Sequence, residues 1–149
     1  MGMTASLTRI KSVHLDHLLN QEPLPGDPEE ELYVDKDWES IMYVFGNGSV
    51  GAPITGDIFM PEEVIGDEEA IQCGEGIRYH TPEAVKAINV MISDLTEASV
   101  RELIVPEKME HIYSFHPDET ELLVERCLSV IELFKRAEQN GDLVIAGMG

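Results

Sequence analysis

The feature that most constrains this chain is a long amphipathic segment followed at once by a short apolar one. From about Asp118 to Gln139, apolar residues recur at helical spacing. Leu123, Cys127, Val130, Phe134 and Ala137 form one seam, with Val124, Leu128 and Ile131 beside it, so the helix buries a broad stripe. Glu132 and Arg136 stand in the favourable i,i+4 order. Asn140-Gly141 ends the helix, and Leu143-Val144-Ile145-Ala146 reads as a strand. A strand this apolar is not stable alone in water and has to enter a sheet. Its expected neighbour is a strand over Met3 to Ile10, where small and alternating residues carry few helix signals. The expectation is an α/β to α+β fold: a single domain spanning residues 1–149, with a small mixed sheet that includes both of these strands, packed by helices.

Between these strands the punctuation marks further elements. Ser12 opens a short helix with Val13, Leu15, Leu18 and Leu19 on its apolar side. Residues 20–31 read as a loop rich in proline that ends in Glu29-Glu30-Glu31. A helix then carries the only tryptophan. Trp38, Ile41, Met42 and Phe45 share one face, with Asp35 as the expected N-cap and Gly46 after the last turn. As a core anchor, Trp38 should cost about 3 kcal/mol or more on truncation to alanine. Residues 52–59 read as a short extended piece, and Pro61 to Ile65 as one or two helical turns ended by Gly66. Thr81-Pro82-Glu83 is a helix start, with Thr as N-cap, Pro at the first position and an acid in the first turn. Val85, Ile88, Ile92 and Leu95 keep one face of that helix. Thr96 caps another, stapled by Leu95 and Val100, and Pro106 ends it or opens the next.

The charge balance narrows function more than composition does. Ten basic residues against 29 acidic give a net charge of −19 over 149 residues. Such a surface repels phosphate backbones, so nucleic acid is not an expected partner, and a basic protein is. Cys73 and Cys127 lack the spacing of a disulfide framework or a zinc site, and Cys127 lies in the helical seam as an inert core thiol. The sequence opens without a basic region leading into an apolar run, and no apolar stretch approaches about 18 residues. The expected location is therefore cytoplasmic, without a membrane. The opening Met1-Gly2-Met3-Thr4-Ala5-Ser6 fits a myristoylation pattern that has few basic residues nearby to support it.

Several motifs match on paper and fail on context. Gly46-Asn47-Gly48-Ser49-Val50-Gly51 spells G-x-G-x-x-G, but a helix precedes it and Pro53 follows, whereas a dinucleotide site needs a strand before and a helix after. Asn47-Gly48 is a turn, and Asn47-Gly48-Ser49 is a glycosylation sequon that matters only in a secreted chain. His14 and His17 stand at i,i+3 without a third ligand, so no metal is assigned. No nucleophile elbow or H-E-x-x-H occurs, and no catalytic residue or cofactor is assigned.

The chain resembles the YfbM-like family, bacterial proteins grouped as a domain of unknown function. The resemblance rests on Asp35-Lys36-Asp37-Trp38 leading a helix, on Ile65-Gly66, and on the stretch Gly74 to Glu83 with its Arg-x-x-Thr-Pro-Glu. Ile112-Tyr113 and the helix, Gly141, apolar strand ending add to it. It implies a compact three-layer α/β or α+β domain and supplies no activity. Glu39 and Met42 stand where members often carry histidine, which argues against chemistry that needs those histidines.

Three readings of function follow from the residues. The first is a non-catalytic acidic interaction protein that binds a basic protein through Glu29, Glu30, Glu31 and Tyr33, with Leu24 and Leu32 beside them. The alternative is a module for a small anionic ligand using Trp38, Arg78, Tyr79 and His80, placed just before the Thr81 cap where a helix dipole favours anions. Against it stands the plainer reading that Arg78 pairs with an acid such as Glu75. The third, an enzyme, has no motif. Oligomeric state is not encoded in any pattern here.

Overall fold

The computed structural model describes residues 3–46, 58–59, 61, 63–73 and 76–148. The myristoylation pattern's Met1 and Gly2, the Asn47-Gly48 turn, most of the extended piece at 52–59, and Glu75 lie outside them. Five strands form one sheet: β1 (Ala5–Ile10), β2 (Glu30–Asp35), β3 (Glu63–Ile65), β4 (Ile77–His80) and β5 (Leu143–Met148). Their order is β2-β1-β5-β4-β3. The expected pairing holds: β1 lies beside β5, with Ala5 opposite Met148 and Ile10 opposite Leu143. Every pairing is antiparallel, so the fold is α+β and the sheet is not mixed as anticipated. A parallel pair needs a crossover that returns the chain in the same direction, and none of the adjacent strands is so connected.

Seven α-helices accompany the sheet among the described residues: α1 (Leu15–Leu19), α2 (Trp38–Phe45), α3 (Glu68–Gln72), α4 (Pro82–Ile92), α5 (Glu97–Leu103), α6 (Pro106–Met109) and α7 (Thr120–Asn140). Alternation along the strands sorts the layers. Ala5, Leu7, Val34, Val144 and Ala146 face the main core with α2, α4 and α7. Ile10, Ile65, Tyr79 and Leu143 face the other way, where Leu18 of α1 covers them. All five residues of the predicted seam on α7 are buried. That helix ends in two bonds, Asp142 N–H to the Ala137 carbonyl at 2.8 Å and Gly141 N–H to the Glu138 carbonyl at 3.2 Å. Gly141 takes φ of 67°, the left-handed conformation such an ending uses. Asn89 of α4 ties the two main helices together, donating to the Phe134 carbonyl at 2.8 Å. Burial pushes the Cys127 thiol up, as suits a core position.

Three local readings change. Glu30 and Glu31 belong to strand β2 rather than a loop, because Glu30 lies where two arginines neutralise it. Asp35 does not cap α2: it sits at the end of β2 with φ of 54°, and Asp37 precedes the helix and pairs with Arg126 at 2.6 Å. Glu63 to Ile65 form β3 rather than a helical turn, since Ile65 fills the smaller core opposite Ile77. Thr81 and Thr96 cap as read, accepting from the N–H groups of Ala84 and Ser99.

A charge network closes one corner of the sheet. Arg9 Nε donates to Glu30 Oε1 at 3.1 Å, and Arg9 Nη1 to Asp142 Oδ2 at 2.5 Å. Arg136 grips the same Glu30 through both oxygens. The hydrogen bonds from Arg136 hold the Glu30 carboxyl below its usual range; burial opposes this and Arg9 adds to it. A lowered carboxyl pKa contributes stability that is present above the unfolded value and lost as pH falls through the folded one. The stability lead of the wild type over Glu30→Gln should therefore shrink as pH drops below about 4.5. Urea midpoints of both proteins between pH 7 and pH 3 check this; a constant gap contradicts it.

Candidate functional site

β4 and β5 pair through His80–Val144, Tyr79–Ile145 and Arg78–Ala146, and the pairing stops there. β5 runs on to Met148 against β1, while Ile77 of β4 stays with β3. A cleft of about 390 Å³ lies where the two strands part. Met3, Phe59 and Met148 give it apolar walls on the face of Arg78, Ile77 and Ile145 border it while their side chains pack in the smaller core, and Ala146, Gly76 and Gly147 leave room. A Cβ on Gly76 would stand 2.8 Å from Val64 Cγ2, and one on Gly147 2.9 Å from Ser6 Oγ, so neither position admits a side chain without a shift of its neighbour. The volume is within the range of about 300–1,000 Å³ usual for small-molecule sites.

Arg78 is the one charged side chain among the described residues that line this cleft. Its Nη1 donates to the Pro61 carbonyl at 2.9 Å. Among the described residues it meets no carboxylate, and Glu75, the partner considered from sequence, lies outside them. The other four arginines all hold acids. Arg9 holds Glu30 and Asp142, Arg101 holds Glu97 and Glu121, Arg126 holds Asp37, and Arg136 holds Glu30 and Glu132. In a chain with 29 acids and 10 bases, an arginine that meets no carboxylate among the described residues stands out.

Trp38 stands behind the cleft rather than in it. Its indole Nε1 donates to the Met3 carbonyl at 3.0 Å, and the Met3 N–H donates to the Tyr113 hydroxyl at 2.9 Å. The two rings meet edge to face with centroids 5.8 Å apart. Glu39 accepts the Tyr113 N–H at 2.8 Å, and Met42 is buried, so both positions where histidine was considered are structural here. Met3, held from both sides, forms part of the cleft wall. Trp38→Phe keeps an aromatic ring and removes the donor to Met3. It should cost about 1–2 kcal/mol and speed amide exchange at Met3. Urea denaturation with hydrogen exchange tests this; unchanged exchange at Met3 would remove the clamp from the account.

Tyr79 and His80 do not reach the cleft. These residues form a strand, so alternation sends Tyr79 to the far face among Ile10, Leu18 and Ile65. Burial, and then the charge of Glu63, push its hydroxyl pKa up. His80 turns into the main core, donates from Nε2 to the Ile58 carbonyl at 2.8 Å, and packs edge-on against Phe134 at 5.7 Å. Of the acidic set, Glu30 is bound to arginines and Glu29 lies 3.7 Å from Lys11. Glu31 is exposed, and Tyr33 is 60% exposed, both on the outward row of edge strand β2. His17 Nδ1 lies 3.4 Å from Glu22, and among the described residues no cluster of His, Cys, Asp or Glu is arranged to hold a metal. No helix of the described residues is long and apolar enough to cross a membrane.

Sequence reasoning singled out Arg78 and missed Met3, Ile145, Gly147 and Met148. The available signal was that Leu143 to Ala146 had to be a central strand, which places any residue flanking it beside β4.

The fold and cleft define a small α+β domain with an apolar recess whose one arginine meets no carboxylate among the described residues. The chain belongs to the family described as "Domain of unknown function (DUF1877)", whose model matches residues 1–146. Its fold is that of the crystal structure of YfbM, a protein of unknown function from Escherichia coli. That match has a TM-score of 0.63 and 13% identity, and covers 98% of this chain and 99% of the other. Among curated proteins, none matches this sequence.

Proposed function

We propose that this protein is a binding module for a small anionic ligand, seated in the cleft between β4 and β5 and anchored by Arg78. The observation that carries this reading is the half-buried guanidinium of Arg78, which lines an apolar cleft and meets no carboxylate among the described residues. A guanidinium in such surroundings gains from a bound anion, because charge-assisted hydrogen bonds are stronger out of water. Trp38 serves the site indirectly, by holding Met3 in the wall. The test is ligand-observed NMR on the full chain with a mixed panel of amino acids, hydroxy acids, short monocarboxylates, nucleotides and sugars. At least one anion should bind wild type and lose most of its affinity for Arg78→Gln, with circular dichroism unchanged. A panel in which no anion binds, or in which binding ignores Arg78, overturns the reading.

A second reading draws on β2. Among the described residues it is an edge strand, and Glu31 and Tyr33 project from its exposed face, which suits an extended basic segment of a partner protein. Pull-down from cell lysate at low and high salt tests it. A basic partner should be lost at high salt and on Tyr33→Ala combined with Glu31→Lys; recovery indifferent to both changes dismisses it.

A further inference from the structure

We infer that the occupant of the Arg78 cleft is a monocarboxylate with an apolar body; this rests on the ligand-binding reading and narrows it to a chemical class. Three observations lead there. The first is the count of cations. Arg78 supplies the only charged side chain among the described lining residues, and one of its N–H groups is already given to the Pro61 carbonyl. A planar fork of this kind matches one carboxylate, with two parallel hydrogen bonds. A phosphate monoester carries nearly two charges near pH 7 and needs a second cation or a nest of N–H groups to replace its water.

The second is the field of the whole molecule. At −19, the chain opposes the approach of any anion, and the penalty grows with the charge of that anion. A monoanion meets the smallest barrier consistent with pairing to Arg78.

The third is the wall. Met3, Phe59 and Met148 bring hydrocarbon to the cleft on the face of Arg78, and a ligand that is polar throughout would lose its water there without recompense. Hydrocarbon attached to the carboxylate gains instead from leaving water, by an amount that increases with each buried methylene. Anchor and wall together select an acid head with an apolar tail.

The experiment follows the amides of Gly76 and Gly147 in nitrogen-15 NMR spectra of the full chain at pH 7. The probes are hexanoate, octanoate, decanoate, octyl phosphate and 1-octanol, each below its micelle-forming concentration. Octanoate should shift both amides. Affinity should rise about fourfold per added methylene until the cleft is filled. Octyl phosphate and 1-octanol should each bind at least tenfold more weakly than octanoate. Arg78→Gln should weaken octanoate at least tenfold without moving resonances far from the cleft. If that variant does not fold, Arg78→Lys, which keeps the charge and loses the fork, should weaken octanoate severalfold. Equal or tighter binding of octyl phosphate or 1-octanol, still at Gly76 and Gly147, overturns the monocarboxylate and leaves the cleft as a ligand site. Silence of both amides to every probe in folded protein also overturns the monocarboxylate, and the mixed panel then decides separately whether the cleft binds any anion.

Discussion

Phe134→Ala is expected to lower stability by about 3–5 kcal/mol. Phe134 is fully buried on α7, at the centre of the main core. Its ring meets the edge of His80 from β4, and its carbonyl accepts from Asn89 of α4. Sheet, α4 and α7 thus meet at one residue. Removing the ring leaves a cavity bounded by three elements that cannot all close on it, and also takes away the aromatic contact to the buried imidazole. For a chain of this length the loss corresponds to a fall in melting temperature of roughly 6–20 °C. Differential scanning calorimetry reads it directly. A fall of only a degree or two would mean that the core around Phe134 is loosely packed and that α7 is not its organising helix.

Arg9→Met is expected to cost about 3–5 kcal/mol, as breaking one side of a buried ion pair does. The side chain of Asp142 is only 4% exposed and that of Arg9 only 11%. The substitution leaves a carboxylate shut in against hydrocarbon, while Glu30 keeps Arg136 and is less affected. The decisive comparison is Arg9→Met with Asp142→Leu. Removing both charges should recover part of the loss, because the expense lies in the stranded carboxylate rather than in the missing attraction. Urea denaturation of the three variants checks this. A single variant that loses under about 1 kcal/mol, or a double variant worse than the sum of its parts, contradicts it.

Most of the helices were legible because their signals are local, while α3 (Glu68–Gln72) was not read. Thr81-Pro82-Glu83 carries its own cap, and the α7 seam repeats often enough that every member is buried. The pairing of β1 with β5 followed from the apolarity of Leu143 to Ala146 alone. β2 escaped because its inward row, Glu30, Leu32 and Val34, begins with a charge, and nothing nearby in sequence announces that Arg9 and Arg136 will meet it. β3 escaped because Pro61 and two acids look like a helix start, while the reason for a strand, Ile65 against Ile77, arrives only when β4 is in place. The cleft was out of reach for the same reason on a larger scale. Arg78 could be picked out as an unusual cation, but its walls come from both ends of the described chain, from Met3 to Met148. Tyr79 and His80 were grouped with it because adjacency in sequence looks like adjacency in space, and a strand separates what a loop would keep together.

The strand order also dictates a timetable. β1 pairs locally with β2, and β3 with β4, so each half of the sheet can assemble soon after it leaves the ribosome. Among the described residues the two halves are joined in the sheet only through β5, the last of its five strands along the chain. Until then the nascent chain carries two half-sheets, each with an unpaired edge, and the apolar stripe of α7 without its full cover. Pairings between residues so distant in sequence are slow to find. A chain arrested before Leu143 is thus a natural client for a chaperone, and the six residues from Leu143 to Met148 act as the latch that ends its need for one.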